Sequence, residues 1–134
     1  MKKLLLILIC LFFSFPSYGE WRWELFVEIG DYRIFLDKNK FRSSNGFVYF
    51  YELEDLQEPF PEGMVGPYKI WSRINYFKGD CNDFKYKLLD SKYFLEPMGK
   101  NLFYTDPIGE GEWKFSLPDS IGYEKLNVVC SLTN

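Results

Sequence analysis

The sequence predicts an α+β fold: an antiparallel β-sheet meander of about six strands, with a C-terminal helix packed on one face and tethered by a disulfide. Three observations lead there. Six stretches alternate apolar and polar residues with the period of two expected of a half-buried strand. The connections between them are short and rich in turn residues, which favours antiparallel neighbours. The last segment changes to helical spacing and carries a cysteine, Cys130, whose counterpart, Cys81, sits at a turn.

In order, WELFVEI (23–29) sets Trp23, Leu25, Val27 and Ile29 against Glu24 and Glu28. YRIFLD (32–37) groups Tyr32, Ile34 and Leu36, and FVYFYEL (47–53) groups Phe47, Tyr49, Tyr51 and Leu53. Asn45-Gly46 ahead of it is a strong hairpin signal, because both residues accept positive φ. YKIWSRINY (68–76) groups Tyr68, Ile70, Ile74 and Tyr76, and Gly79-Asp80 then offers a turn before Cys81. DFKYKL (83–88) groups Phe84, Tyr86 and Leu88, and EWKFSL (112–117) groups Trp113, Phe115 and Leu117. A weaker pair, KYFLE (92–96) and NLFYT (101–105), flanks Pro-Met-Gly. EPFPEGMVGP (58–67), with three prolines and two glycines, reads as a loop.

PDSIGYEKLNVVC (118–130) closes the series. Asp119 or Ser120 can cap a helix, Glu124 suits its first turn, and Tyr123, Leu126 and Cys130 share a side. Gly122 and the β-branched Val128-Val129 oppose a helix, so a strand stays open on this reading. A helix locked to the Cys81 turn would cover an apolar sheet face.

Residues 1–19, MKKLLLILICLFFSFPSYG, have the three parts of a secretory signal: Lys2 and Lys3, an apolar run, and small residues after Pro16. The run falls short of the roughly 20 residues of a membrane span. Residues 20–134 then form one domain. Cleavage after Gly19 removes two lysines and no acid, taking the net charge from −3 to −5. An acidic chain without a basic run argues against nucleic acid and anionic membrane surfaces. Cys10 leaves with the signal; Ile9 before it does not suit a lipid-attachment site. Cys81 and Cys130 remain, and two cysteines in an exported chain read as one disulfide.

There is no histidine, which removes Ser-His-Asp and Cys-His chemistry and the usual zinc sites. No phosphate loop or calcium-loop spacing occurs, so neither metal nor cofactor is expected. Glu52, Glu54 and Asp55 could supply paired carboxylates for glycoside hydrolysis, but they read better as a solvated strand face, and Ser72 with Arg73 as structural. No catalytic residue is expected. Phe26, Phe35, Phe50 and Trp71 hold alternation positions that should meet solvent, and form the candidate contact patch for a protein partner or a second copy.

Three stretches resemble the surface-adhesin protein E-like family over about residues 21–131: YRIFLDKNKF (32–41), WSRINYFKGDC (71–81) and EWKFSLPDSIGYEKLNVVC (112–130). The resemblance implies an antiparallel sheet with a disulfide-tethered C-terminal helix. It also implies a non-enzymatic, adhesin-like envelope protein contacting a host matrix or serum protein. The expected location is the periplasm or the cell surface, without a lipid anchor. A periplasmic accessory or inhibitor-type protein is the alternative.

Overall fold

A computed structural model describes residues 20–60, 67–107, 109 and 111–133; the expected signal segment, 1–19, lies outside them. The strands are β1 (Glu24–Ile29), β2 (Tyr32–Leu36), β3 (Arg42–Ser44), β4 (Phe47–Leu56), β5 (Ser72–Asp80), β6 (Lys85–Glu96), β7 (Lys100–Asp106) and β8 (Lys114–Phe115). The helix, α1, is Ile121–Thr133. One antiparallel sheet runs β1-β2-β4-β5-β6-β7, with β3 beside the start of β4 and β8 beside the start of β6. The expected meander is therefore present, with two short strands added at its margins.

Local chemistry explains most boundaries. Asn45 and Gly46 take φ of 52° and 81° and close the β3–β4 hairpin. Ser120 caps α1: its Oγ accepts from the Tyr123 amide at 3.1 Å and its carbonyl from Glu124 at 3.1 Å. The Val128-Val129 pair is helical, because Val129 is buried against the sheet and packing outweighs propensity. Asp37 is fully buried; it accepts from the Asn39 and Arg22 amides at 3.1 and 2.9 Å and so caps the 3-10 turn Lys38–Lys40.

Three expectations need correction. The expected strand at 68–76 is displaced to Ser72–Asp80. The segments 83–88 and 92–96 are parts of one long strand, β6, that keeps pairing with β5 across a bulge opposite Tyr76 and Phe77. Gly79-Asp80 is not the turn. Both residues end β5, and Asp80 Oδ1 builds the turn by accepting from the Asn82 and Asp83 amides at 2.9 and 3.1 Å. Gly79 has another task. A Cβ there would lie 2.6 Å from Leu126 Cδ1 and 2.9 Å from Val48 Cγ2, so its bare backbone is the notch that seats α1.

The sheet is covered on both faces. Beneath α1, Leu126, Val129 and Cys130 pack with Leu36, Val48, Phe50 and Phe77. On the opposite face Phe35, Leu53, Ile74 and Phe94 form a second cluster under Trp21, Trp23, Tyr51 and Met98. Asp55 accepts from the Met98 amide and Ser72 Oγ from the Gly99 amide, at 2.8 and 2.9 Å, holding the 3-10 turn Pro97–Gly99 beside that cluster. The Cys81–Cys130 disulfide joins the β5–β6 turn to α1 across 49 residues of sequence.

Two predictions follow from this packing. Closing a loop of 49 residues is worth about 4 kcal/mol in the chain-entropy treatment. Cys81→Ser is therefore expected to lower stability by about 2–5 kcal/mol; equal denaturant midpoints with and without reductant would refute it. Gly79→Ala is expected to cost about 1–3 kcal/mol by overpacking, and less when combined with Leu126→Ala. Both are measured by urea unfolding.

Candidate functional site

Two polar constellations stand out, one on each face of the sheet. Directly paired antiparallel residues point to the same side, so the register assigns them.

On the helix side lies an ionic cluster. Glu52 is 1% exposed and holds the Lys125 ammonium of α1. Asn75 Nδ2 donates to Glu52 at 3.0 Å and contacts Glu54 Oε1 at 3.4 Å, while Ser91 Oγ donates to Asn75 Oδ1 at 2.7 Å. Arg73 sets Nε and Nη2 on Glu54 Oε2 at 3.0 and 2.5 Å. Burial, then the neighbouring Glu52 charge, raise the Glu54 carboxyl above its ordinary 4.5, against the pull of Arg73 and Lys125. Burial works against the Arg73 cation, but Glu54 outweighs it and the Arg73 pKa rises. The cluster borders an open cleft of about 540 Å³ whose walls also include Phe77, Tyr86, Leu88 and Lys114.

On the opposite side, the register places Arg42, Tyr49, Lys78 and Lys87 abreast on four strands, β3, β4, β5 and β6. Arg42 lies 4.8 Å from the Tyr49 ring centroid and Lys78 4.2 Å from that of Phe47. Lys87 is buried 4.6 Å from the Trp113 ring, which stacks on Phe47 at 5.9 Å. The next row pairs Tyr51 with Tyr76, stacked at 4.4 Å; Trp21 meets Tyr51 edge-on at 5.0 Å, with Lys40 over Trp21 at 4.8 Å. Arg42 Nη2 donates to the Tyr76 hydroxyl at 2.6 Å. These rings are half-buried and stand against one another; Arg42 beside them is exposed, Lys78 half-buried and Lys87 buried.

The expected contact patch is not assembled. Phe50 is 2% exposed beneath α1 and Phe26 packs on the same cluster. Phe35 is 8% exposed in the opposite cluster, and Trp71 is half-buried with its backbone bonded to Leu56 and Phe94. The reason is that both faces are covered, so aromatics of either parity are core. The half-open surface is instead the face that alternation marks as apolar: Phe47, Tyr49, Tyr51 and Tyr76. The reading of Glu52 and Glu54 as solvated is also overturned, since Glu52 is buried and both are ion-paired. Ser72 is structural as expected: it is fully buried, and its Oγ donates to the Glu96 carbonyl at 2.6 Å. Arg73 is structural as expected, paired with Glu54; sequence reasoning missed Lys125 and the basic row, whose partners come from distant elements. The available signal was the matched alternation of Glu52 and Glu54 with Arg73 and Asn75 on facing strands.

The described residues contain no group of three or more His, Cys, Asp or Glu that could hold a metal ion, and no helix long and apolar enough to cross a membrane. What they define is an antiparallel sheet module with one helix stapled to it and side-chain clusters on both faces. The sequence profile of the surface-adhesin protein E family matches residues 23–131, and the chain belongs to that family. Among solved structures, crystal form II of Haemophilus influenzae protein E superposes with a TM-score of 0.62 at 13% identity, covering 87% of this chain and 92% of that one. Protein E from non-typeable Haemophilus influenzae gives 0.60 at 13% identity, covering 84% and 86%. Those likenesses share the fold. No curated protein matches the chain in sequence.

Breaking the buried ion pair on one side, by Lys125→Met or Glu52→Gln, is expected to cost about 3–5 kcal/mol, and replacing both partners by apolar residues much less. A double-mutant cycle in urea measures this. Glu54 gives a pH prediction. A carboxyl with a higher pKa folded than unfolded contributes stability that is fully present below the unfolded pKa and lost as pH rises through the folded one. The stability of wild type relative to Glu54→Gln is therefore expected to fall as pH rises from about 4.5 toward neutrality; a rise over that window would contradict the shift.

Proposed function

We propose that this is an exported bacterial envelope protein of adhesin type, without catalytic activity. On this reading residues 1–19 direct export. The mature domain holds an acidic surface of a protein partner on the accessible part of the row, Arg42, Tyr49 and Lys78, while Lys87 is buried. One observation carries the proposal: Arg42 and Lys78 stand on the two strands either side of Tyr49 on the half-open face, at 4.8 and 6.0 Å from its ring centroid. The setting agrees. Tyr, Trp, Phe and Arg are the residues enriched in protein interfaces, and the rings keep the cations fixed, which lowers the entropy lost on binding. In a chain of net negative charge, this local basic row selects acidic partner surfaces by complementarity. Membership of the surface-adhesin protein E family supports a host matrix or serum protein as that partner.

Binding of the purified domain to matrix and serum proteins tests this. Lys78→Gln removes a cation–ring contact of a half-buried side chain with Phe47, so it should leave stability within about 1 kcal/mol. It should weaken binding at least about tenfold, more at low salt than at high. Unchanged binding by Lys78→Gln and Arg42→Gln together would refute the row as the contact. Protease shaving of intact cells tests location: digestion of a tagged copy beside an intact periplasmic marker supports the surface. Protection followed by release on osmotic shock would move the partner into the periplasm.

A further inference from the structure

The cleft on the helix side lies on the other face of the sheet from the basic row. We infer that it takes a neutral polyhydroxy ligand, the terminal sugar of a glycan. Size is the first argument. About 540 Å³ falls inside the 300–1,000 Å³ typical of small-molecule sites, and the cleft opens to solvent, so a longer chain can continue outward.

Charge is the second. The walls bring Glu52, Glu54 and Glu112 against Arg73, Lys114 and Lys125. These charges cancel, so an ionic ligand gains no net attraction to offset its lost hydration. A neutral ligand with many hydrogen-bonding groups does not meet that cost.

Hydrogen-bonding capacity is the third. Arg73 spends two nitrogens on the single oxygen Glu54 Oε2, and among the described residues Glu54 Oε1 receives only the 3.4 Å contact from Asn75. Glu54 is held by Arg73, and Asn75 by Ser91 and Glu52, so the acceptor is fixed in place before a ligand arrives. Across the cleft, Lys114 of β8 is exposed and has no hydrogen-bond or ion-pair partner among the described residues. A sugar hydroxyl both donates and accepts, so neighbouring hydroxyls can donate to Glu54 Oε1 and accept from Lys114. The apolar C–H face of the ring then rests on Leu88 and Tyr86, both half-buried at the cleft wall.

The test is an amide chemical-shift titration of the whole domain with the methyl glycosides of galactose, mannose and N-acetylglucosamine. Glucuronate and glucosamine serve as charged controls. At least one neutral glycoside is expected to saturate with shifts at Tyr86, Leu88 and Lys114, and the charged sugars to bind at least about tenfold more weakly. Glu54→Gln should weaken binding by about tenfold. Leu88→Trp fills the cleft without touching an ionic group and should abolish saturation; if that variant does not fold, Lys114→Ala at the rim supplies the same readout. The inference is overturned if no neutral glycoside saturates, if a charged sugar binds best, or if neither cleft variant changes the affinity. Lys78→Gln on the opposite face should leave glycoside binding unchanged, so this site and the protein-binding row stand or fall separately.

Discussion

The seating of α1 in the notch at Gly79 organises the rest of the molecule. Leu126 enters where β5 has no side chain, and Val48 closes the contact from β4. That fit fixes the depth of the helix over Phe50 and Phe77. The depth places Cys130 beside Cys81, one residue after Asp80 ends β5, so the disulfide joins positions that packing has already brought together. It also carries Lys125, one position before Leu126, onto Glu52. One apolar contact thus determines the covalent tether and the buried ion pair.

Helix placement also divides the helix side of the sheet. One half, around Val48 and Phe50, is apolar core. The other half, around Glu54, Arg73 and Asn75, is left beside the helix and forms the cleft floor. Burying charge there is costly, and the cost is contained by matching each carboxylate to a cation and tying Asn75 between them. The opposite face follows another rule. Its apolar cluster is confined to Phe35, Leu53, Ile74 and Phe94, and beyond it the rings stand on edge with cations between them. Edge strand β7 presents no regular ladder for a further strand: Phe103 is an extra residue against β6, and Asn101 has φ of 62°.

Legibility in the sequence followed the range of the interaction. Asn45-Gly46, a helix cap at Asp119 or Ser120 and the cysteine pair rest on local chemistry or on a count, and the structure has all three, with Ser120 as the cap. The register-dependent features were not readable. Alternation tells which residues share a side but not which side the helix takes, so it points Phe50 to solvent although Phe50 lies beneath α1. The bulge in β6 hides the continuity of 83–88 with 92–96, because one extra residue reverses the parity on its far side. Glu52 meets Lys125 73 residues away, and no local pattern marks such a pair. Gly79 reads as a turn former because glycine in sequence reports freedom of φ and absence of Cβ with the same letter; here the absence matters.

The short strand β8 shows how little chain is needed to furnish both surfaces. Successive side chains of a strand point to opposite faces. Lys114 pairs with Tyr86 and joins the cleft, while Phe115 pairs with Lys85 and faces the other way. Trp113, of the same parity as Phe115, stacks on Phe47 and lies against Lys85 and Lys87. The alternation in EWKFSL is therefore not that of a strand with one buried and one idle face. It distributes an aromatic residue to the basic row and a cation to the cleft. Only two residues of β8 pair with β6, at Lys85 and Tyr86, so both surfaces depend at their margin on the same small ladder. The residues that hold that ladder in register, Tyr86 against Gly122 of the helix and Lys85 beneath Trp113, are in turn positioned by the seating of α1 and by the turn that carries Cys81.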